Sequence, residues 1–550
     1  MAEQPRLFFP SIFWQLRASP DSGRLARVLI AGAIIAAGVG LRIWLASGFP
    51  VVNDEQAYVY DAVLFEPGRA FFWKSPILIT LEHFWVSVFP LSAVLVPRLM
   101  IVVTSTFAML ALAWCARRIA GVWAGWGTLI VGMVFPGSLE HSILVLSEHL
   151  LLLFTALTCA VTLKWRNRPR LAVWQLLTLS GMVGLATLTR HSGVFWFLAA
   201  ALLLRTRNVK EMSRRVVWMI VPYAVAVAVF FGMFREIAKG YRFAGLFFRF
   251  FEDSFRGGYF NKALDWFAVF PRFLPLLMAW LLGLGERSWR QGWLKYGIVI
   301  LLGWTWMGAF QAPAHANFVL LCSLILLGMG LRKVYSGAQW LDVAAFLIPP
   351  VLAYAVFEKV NEKYLAEFLP AFIMAAGLGL GRVLDSLRIR RTQVPALAAL
   401  VLLGWAIWPW YRYAVDQPYV GTVTVAAVQE AAGYIRGQIA PEDTIVTGAV
   451  LVPLLAGRQE SFHIPHPSWY GPTFRGKEEP RFWQMLDPVA DALEAGEVEY
   501  LLEEKLTTDT YRKHPRIDAA FDEDFVLVAE FGDEYSSPIR ILQHRSGTID

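Results

Sequence analysis

Apolar residues along this chain come in continuous blocks rather than in alternation. Blocks of roughly 17–22 residues recur from Val28 onward, long enough for a helix to cross a hydrocarbon core of about 30 Å. Continuous blocks favour membrane helices over a membrane β-barrel, whose strands alternate apolar and polar positions. They predict spans near residues 28–46, 93–114, 120–137, 143–163, 171–189, 193–205, 216–234, 266–284, 295–310, 316–331, 341–357, 365–381 and 394–410, thirteen in all. Charge in the connections gives an orientation. Arg117-Arg118, Lys164 to Arg170, Arg205 to Arg215, Glu286 to Lys295, Arg332-Lys333 and Arg382 to Arg391 are basic. Connections near Pro136 to His141, Gln311 to Asn317 and Trp408 to Tyr413 are poor in Lys and Arg. Cytoplasmic connections carry the Lys/Arg excess, so the N-terminus is expected inside and the C-terminus outside. Two outer connections, near 47–92 and 235–265, are long. The second mixes Arg242, Phe247, Phe248, Arg249, Phe250, Phe251 and Arg256, a composition suited to helices in the interface plane.

Beyond Tyr413 no apolar block is long enough to span. A helical stretch, Val425 to Gln438, precedes a β-branched strand, Thr444 to Thr447. A helix near Asp487 to Ala495 precedes a strand at Glu499 to Leu502, and Phe525 to Glu530 and Ile539 to Gln543 read as further strands. Helix–strand alternation points to a small α/β domain. The expected organisation is a cytoplasmic segment 1–27, an α-helical polytopic membrane domain 28–411 and an outer-side soluble α/β domain 412–550.

Composition supports the membrane class. Of 550 residues 57% are hydrophobic and 17% charged, against about 25% charged in soluble proteins. The 23 Trp suit membrane–water interfaces. The formal charge of +7 lies in the short connections, so it reads as a topology signal and no nucleic-acid partner is expected. Cys115, Cys159 and Cys322 fall in or beside apolar blocks, without metal-ligand spacing, and read as small buried hydrophobes. Polar and mixed residues precede the first block and no small-residue cleavage site follows it, so no cleavable signal peptide is expected.

Candidate chemistry gathers on the expected outer side. Asp54-Glu55 follows the first span. It reads as a helix-capping loop acid or as a general base for an acceptor hydroxyl. Lys74, among Phe71, Phe72 and Trp73, is a snorkelling interfacial lysine or a clamp on a lipid-linked phosphate. Glu148 sits in the outer end of the fourth span, where an acid is costly and points to function. Glu140, nearby, is the more exposed of the two. Arg190 and His191 end the fifth span against the positive-inside trend, and a guanidinium there suits bidentate phosphate binding. His315 and the run Glu358 to Tyr364 are polar loops on other outer connections. His463 and His466 have an H-x-x-H spacing set among prolines, a poor metal site.

The order of these motifs resembles the GT-C glycosyltransferases, in particular the group that includes protein O-mannosyltransferases and the lipid A aminoarabinose transferase. Asp54-Glu55-Gln56-Ala57-Tyr58 is similar to the family's Asp-Glu-x-x-Tyr motif, and Lys74-Ser75-Pro76 to its Lys-Pro-Pro. Ser147-Glu148-His149-Leu150 resembles its second acidic motif, Gly181 to Arg190 its glycine stretch ending in a basic residue, and Lys363-Tyr364-Leu365 with Pro370 its Arg/Lys-Tyr-Leu segment. Ser75, Glu148 and Arg190 depart from the family's proline, aspartate and lysine.

The resemblance implies a multi-pass enzyme of the bacterial inner membrane that moves a sugar from a polyprenyl-phosphate donor to a glycan, lipid or protein acceptor, with inversion. It implies Asp54 and Glu148 as catalytic, and Lys74, Arg190 and Lys363 as donor-phosphate ligands. Glu55, Tyr58, His191, His315 and Tyr364 would be accessory. No obligatory cofactor is implied, and a divalent cation is an optional addition. Two other classes stay open at this point: a transporter or flippase for a lipid-linked substrate, which would carry charges at the bilayer midplane and repeat symmetry, and a non-catalytic assembly subunit.

Overall fold

The computed structural model describes residues 22–63, 75–134, 138–139, 142–233, 337–356, 369–390, 423–458, 462–463, 479–504, 514–532 and 536–545. The spans expected near 266–284, 295–310, 316–331 and 394–410, and the loop near 235–265, lie outside the described residues.

The first apolar block forms α1 (Ser22–Gly48). The long connection expected after it carries helical structure, as the helix-capping reading of Asp54-Glu55 allowed. It contains two helices, α2 (Asn53–Val63) and α3 (Pro76–Val88). Local chemistry starts α3: Ser75 caps it by accepting the Leu78 N–H at 3.1 Å, and Pro76 occupies the first turn, where its missing N–H costs nothing. Thus Ser75, at a position where the resembled family has proline, has a structural use. One face of α3 buries Leu78, Ile79 and Glu82 while Leu81, Phe84 and Val88 stay exposed, as on an interfacial helix.

The next blocks give α4 (Leu95–Ala120), α5 (Val122–Val134), α6 (Ser147–Trp165) and α7 (Val173–Thr189). A 3₁₀ turn (His191–Phe195) leads into α8 (Trp196–Leu203), followed by α9 (Val209–Met233), α10 (Gly337–Val356) and α11 (Leu369–Arg390). Among the described residues, Val28–Gly48, Leu95–Ala120 and Ser147–Trp165 are long and apolar enough to cross a membrane. Helix α4 stops at Gly121, whose φ of 96° is open to glycine and whose N–H closes on the Arg117 carbonyl at 3.0 Å.

Backbone proximity holds α5 to α11. A Cβ on Gly377 would fall on the Thr128 backbone and side chain, one on Gly127 on the Gly377 carbonyl, and one on Gly381 on Ala124. Where lipid is as apolar as leucine, close helix approach over small residues supplies the packing energy. A buried arginine ties α1 to the same helix. Arg42 donates to Gly132 O at 2.8 Å and Met133 O at 2.9 Å. These belong to the carbonyls that a helix C-terminus leaves unpaired, at its negative dipole end.

The basic connections expected inside also act as staples. Asp342 of α10 accepts from Arg166 at 2.5 Å and Arg205 at 2.6 Å. Glu211 of α9 pairs with Arg214 and Arg215, and its hydrogen bond from Arg214 holds its carboxyl down to about 2. Arg215, buried, reaches Leu204 O and Arg168 O.

The C-terminal part contains α12 (Val425–Gln438), β1 (Ile445–Thr447), α13 (Leu451–Leu455), β2 (Phe462–His463), α14 (Glu479–Glu494), β3 (Tyr500–Glu504), α15 (Pro515–Asp524), β4 (Phe525–Phe531) and β5 (Ile539–His544). The sheet order is β2-β1-β3-β5-β4, parallel through β2-β1-β3 and antiparallel at β3-β5-β4. Leu486, Ala490 and Leu493 of α14 and Phe521 of α15 share one apolar cluster with Val446, Leu501 and Leu542 of the sheet. A second cluster joins the sheet and α12 to the helical part: Val51, Val59, Leu78, Ile101, Val145 and Leu150 pack with Val428, Ile435, Leu451, Leu502 and Ile541. A β-bridge, Val51 N–H to Val423 O at 2.9 Å, crosses the same junction.

Gly377→Ala should destabilise the protein by about 1–3 kcal/mol or more, because the new methyl must force α5 and α11 apart. Gly32→Ala, with nothing within 4 Å of the added carbon, serves as the control. Thermal unfolding in one detergent should show a clear drop for the first and none for the second.

Candidate active site

Three helix starts or ends converge where α1 gives way to α2. The connection from Ala46 to Glu55 is organised by Arg98, in the first turn of α4. Its Nη1 donates to Ala46 O at 2.6 Å and Phe49 O at 2.8 Å, and its Nη2 to Pro50 O at 2.9 Å. The remaining donors grip Glu55: Nε to Oε1 and Nη2 to Oε2, each at 2.7 Å. A guanidinium has five N–H donors, and all five are used. Both side chains are buried. Removing one partner of such a pair costs about 3–5 kcal/mol, because the other charge is stranded.

Glu55 reaches further. Its Oε1 also accepts the Val145 N–H at 3.2 Å, just ahead of α6. One ion pair therefore fixes the start of α2, which carries Asp54, against the start of α6, which carries Glu148. The sequence reading placed Glu55 among the accessory residues, and the structure makes it the pin of the site. Tyr58, half-buried one turn on, packs between two apolar clusters. The side chains of Asp54 and His191 lie outside the described residues, as do Lys74, Glu140, His315, Lys363 and Tyr364.

Glu148 occupies the first turn of α6, where peptide dipoles favour a carboxylate. Its Oε1 accepts from Arg190 Nη1 at 2.5 Å, and the Ser147 hydroxyl lies 3.4 Å from its Oε2. Arg190 caps the C-terminus of α7 in an extended conformation (φ −152°). The chain then folds back so closely that a Cβ on Gly193 would strike the Ala186–Thr187 peptide. That approach fixes where Arg190 leaves the helix. Two residues expected to act on different parts of the chemistry, Glu148 and Arg190, are thus paired.

Two further carboxyls face this region, and sequence reasoning missed both. Glu82 is fully buried on α3, which packs against α2, α4 and α7. Neither of its oxygens has a hydrogen-bond partner. Burial first, and the Glu55 charge second, push its carboxyl well above the usual range. The signal was there: Ser75, Leu78, Ile79 and Glu82 recur at helical spacing. Glu504, the last residue of β3, is buried against α2 and accepts from Gln56 Nε2 at 3.4 Å. Burial pushes it up to about 7.

Among the described residues no group of three His, Cys, Asp or Glu could hold a metal. His463 lies on β2, and His466 lies outside the described residues. Cys115 and Cys159 are buried in the apolar core and are free thiols, and Cys322 lies outside the described residues.

No family model matches this sequence, and no curated protein does. Solved structures do. ArnT from Cupriavidus metallidurans bound to undecaprenyl phosphate superposes with a TM-score of 0.56 at 14% identity, over 94% of this chain and 98% of that one. The chain has a GT-C fold. Two weaker likenesses are apo ArnT from the same organism, at a TM-score of 0.46 and 15% identity over 94% and 98% of the two chains, and AglB. The AglB structure, an archaeal oligosaccharyltransferase from Archaeoglobus fulgidus in complex with an inhibitory peptide and a dolichol-phosphate, gives 0.45 at 12% identity over 95% and 75%. Within this GT-C fold Glu55 and Arg98 stand at the starts of α2 and α4, Glu148 at the start of α6 and Arg190 at the end of α7.

Glu82 carries a testable energetic signature. Its folded-state carboxyl titrates above its unfolded one, so stability is full below the unfolded value, near pH 4.5, and falls as pH rises through the folded one. Glu82→Gln removes that loss. Its gain in thermal stability over wild type should be larger at pH 8 than at pH 5, and an equal difference at both pH values would contradict this assignment.

Proposed function

We propose that this chain is a membrane glycosyltransferase that transfers a sugar from a polyprenyl-phosphate donor to an acceptor hydroxyl at the outer face of the membrane. The observation that carries the reading is the Arg98–Glu55 pair, which holds the start of α2, the helix that carries Asp54, against the start of α6, the helix that carries Glu148. The GT-C fold, shared with a structure described as bound to undecaprenyl phosphate, supports a lipid-phosphate donor.

In this reading the acceptor oxygen attacks the anomeric carbon from the face opposite the phosphate. Its proton passes to the Asp54 carboxylate as the new C–O bond forms. The bond from the anomeric carbon to the phosphate oxygen breaks, and the polyprenyl phosphate leaves with the electron pair. Configuration inverts. Lys74, Arg190 and Lys363 neutralise the charge that develops on the leaving phosphate, in the way fixed cations stabilise phosphoryl oxygens. Glu148 orients the acceptor. Fixed cations make a metal unnecessary for the departure. The C-terminal sheet, with strands between Ile445 and His544, faces the outer side and meets α2 through Glu504. The N-terminus is cytoplasmic, and the membrane is a bacterial inner membrane.

Asp54→Asn should lower turnover by about 10²–10⁴-fold, the usual range for loss of a general base, while binding of the lipid donor persists. The check is release of polyprenyl phosphate from a polyprenyl-phosphate sugar by purified protein in lipid nanodiscs. A folded Asp54→Asn protein that transfers at the wild-type rate would remove Asp54 as the base.

A further inference from the structure

The first turn of α2 is tied from two directions. Arg98, in the helical part, holds Glu55. Glu504, in the sheet, accepts from Gln56 Nε2 at 3.4 Å. Successive side chains on a helix point about 100° apart. One tie would leave the helix some freedom to roll about its axis, whereas ties at two neighbouring residues fix the roll. That roll sets the direction in which α2 presents Asp54, its second residue.

We propose that Glu504 is a positioning residue for the transfer: through Gln56 it sets the roll of α2, and with it the aim of Asp54, from the C-terminal sheet. This rests on the reading of Asp54 as the base. Three observations point to positioning rather than to attachment. The sheet is joined to the helical part without Glu504, by the Val51–Val423 bridge and by the cluster that includes Val51, Val59, Leu451 and Leu502. An acid is costly to bury at such a junction, where an apolar residue would pack at less cost. Glu503 and Glu504 are both buried, yet successive strand residues take opposite faces. Glu503 lies 3.7 Å from Arg540 of β5, and Glu504 is the one that meets α2.

The topology places Glu504 at the edge where a sheet of this kind does its binding. Open α/β sheets take ligands outside the carboxyl ends of parallel strands, where the strand order reverses. In β2-β1-β3 that point lies between β1 and β3. Glu504 ends β3, and α13, which follows β1, packs against α2. The edge that holds a small molecule in other such sheets here holds the helix that carries Asp54.

The test measures two quantities on the full chain in nanodiscs: kcat for release of polyprenyl phosphate from a polyprenyl-phosphate sugar, and equilibrium binding of undecaprenyl phosphate. Gln56→Met removes the donor and keeps the side chain's length, and Glu504→Leu removes the acceptor. Each should lower kcat by about tenfold, within the loss that a misplaced catalytic group brings, while undecaprenyl phosphate binds as tightly as to wild type. In a Glu504→Leu background, Gln56→Met should cost nothing more, because the two residues act as one unit. Glu504→Gln keeps an oxygen for Gln56 and should restore most of the rate, and it serves with Gln56→Met if Glu504→Leu does not fold. A folded Gln56→Met protein with wild-type kcat would overturn the positioning role. So would losses that multiply in the double variant, or an equal loss of lipid affinity, which a merely structural contact would give. Asp54→Asn separates the two failures: transfer at the wild-type rate in that variant would overturn the base reading itself, and the positioning role with it.

Discussion

The arrangement of the site depends on one buried guanidinium. Arg98 closes the end of α1 by binding the Ala46 carbonyl and the Phe49 and Pro50 carbonyls that follow the helix, and opens α2 by gripping Glu55. Through Glu55 it also captures the Val145 N–H ahead of α6. A buried charge survives only when fully paired and hydrogen-bonded. That requirement turns the pair into a geometric constraint, because its partners must come from residues 46–55 and 145 together. Apolar packing then adds mass around it. Val51, Val145, Leu150 and Ile101 share a core with Leu451, Leu502 and Ile541, so the sheet is joined to the same junction.

The site built on that junction is unequal in its charges. Glu55 is locked and cannot take part in chemistry without breaking the fold. Glu148 is held by Arg190 and by the Ser147 hydroxyl. Glu82 and Glu504 are buried carboxyls that the surroundings push toward the neutral form. A buried polar group without a partner costs about 1–3 kcal/mol, so Glu82 burdens the fold with a penalty that the packing of α3 must offset. Divergent environments for neighbouring carboxyls are how one site can hold an ionised base beside neutral acids.

Much of the helical part was legible because its signal is local. Continuous apolar runs marked α1, α4, α6 and α7, and helical periodicity placed α12 at Val425–Gln438. The acids and Arg190 stood out because charge near an apolar run is costly. What was missed depends on partners far apart in sequence. Arg98 lies within an expected span and looked like one more residue of it, since its role requires Glu55 and residues 46–50. Helices α2 and α3 fell inside a stretch read as a loop, because each is short and one is only partly apolar. Glu82 was hidden with α3. The basic residues at 166, 205 and 215 were read for topology alone, and their pairing with Asp342 and Glu211 appears only when the helices are packed.

The most direct measurement compares folding and transfer in the paired variant Arg98→Met/Glu55→Met. Exchanging both members of a buried ion pair for apolar groups strands no charge, but here it leaves the Ala46, Phe49 and Pro50 carbonyls and the Val145 N–H without these partners, so the protein should still unfold cooperatively, at a lower temperature than wild type. If the pair exists to position Asp54 against Glu148, release of polyprenyl phosphate from a polyprenyl-phosphate sugar should fall by about two orders of magnitude, as expected for a site displaced by an ångström. A stable double variant that transfers sugar at the wild-type rate would contradict the account.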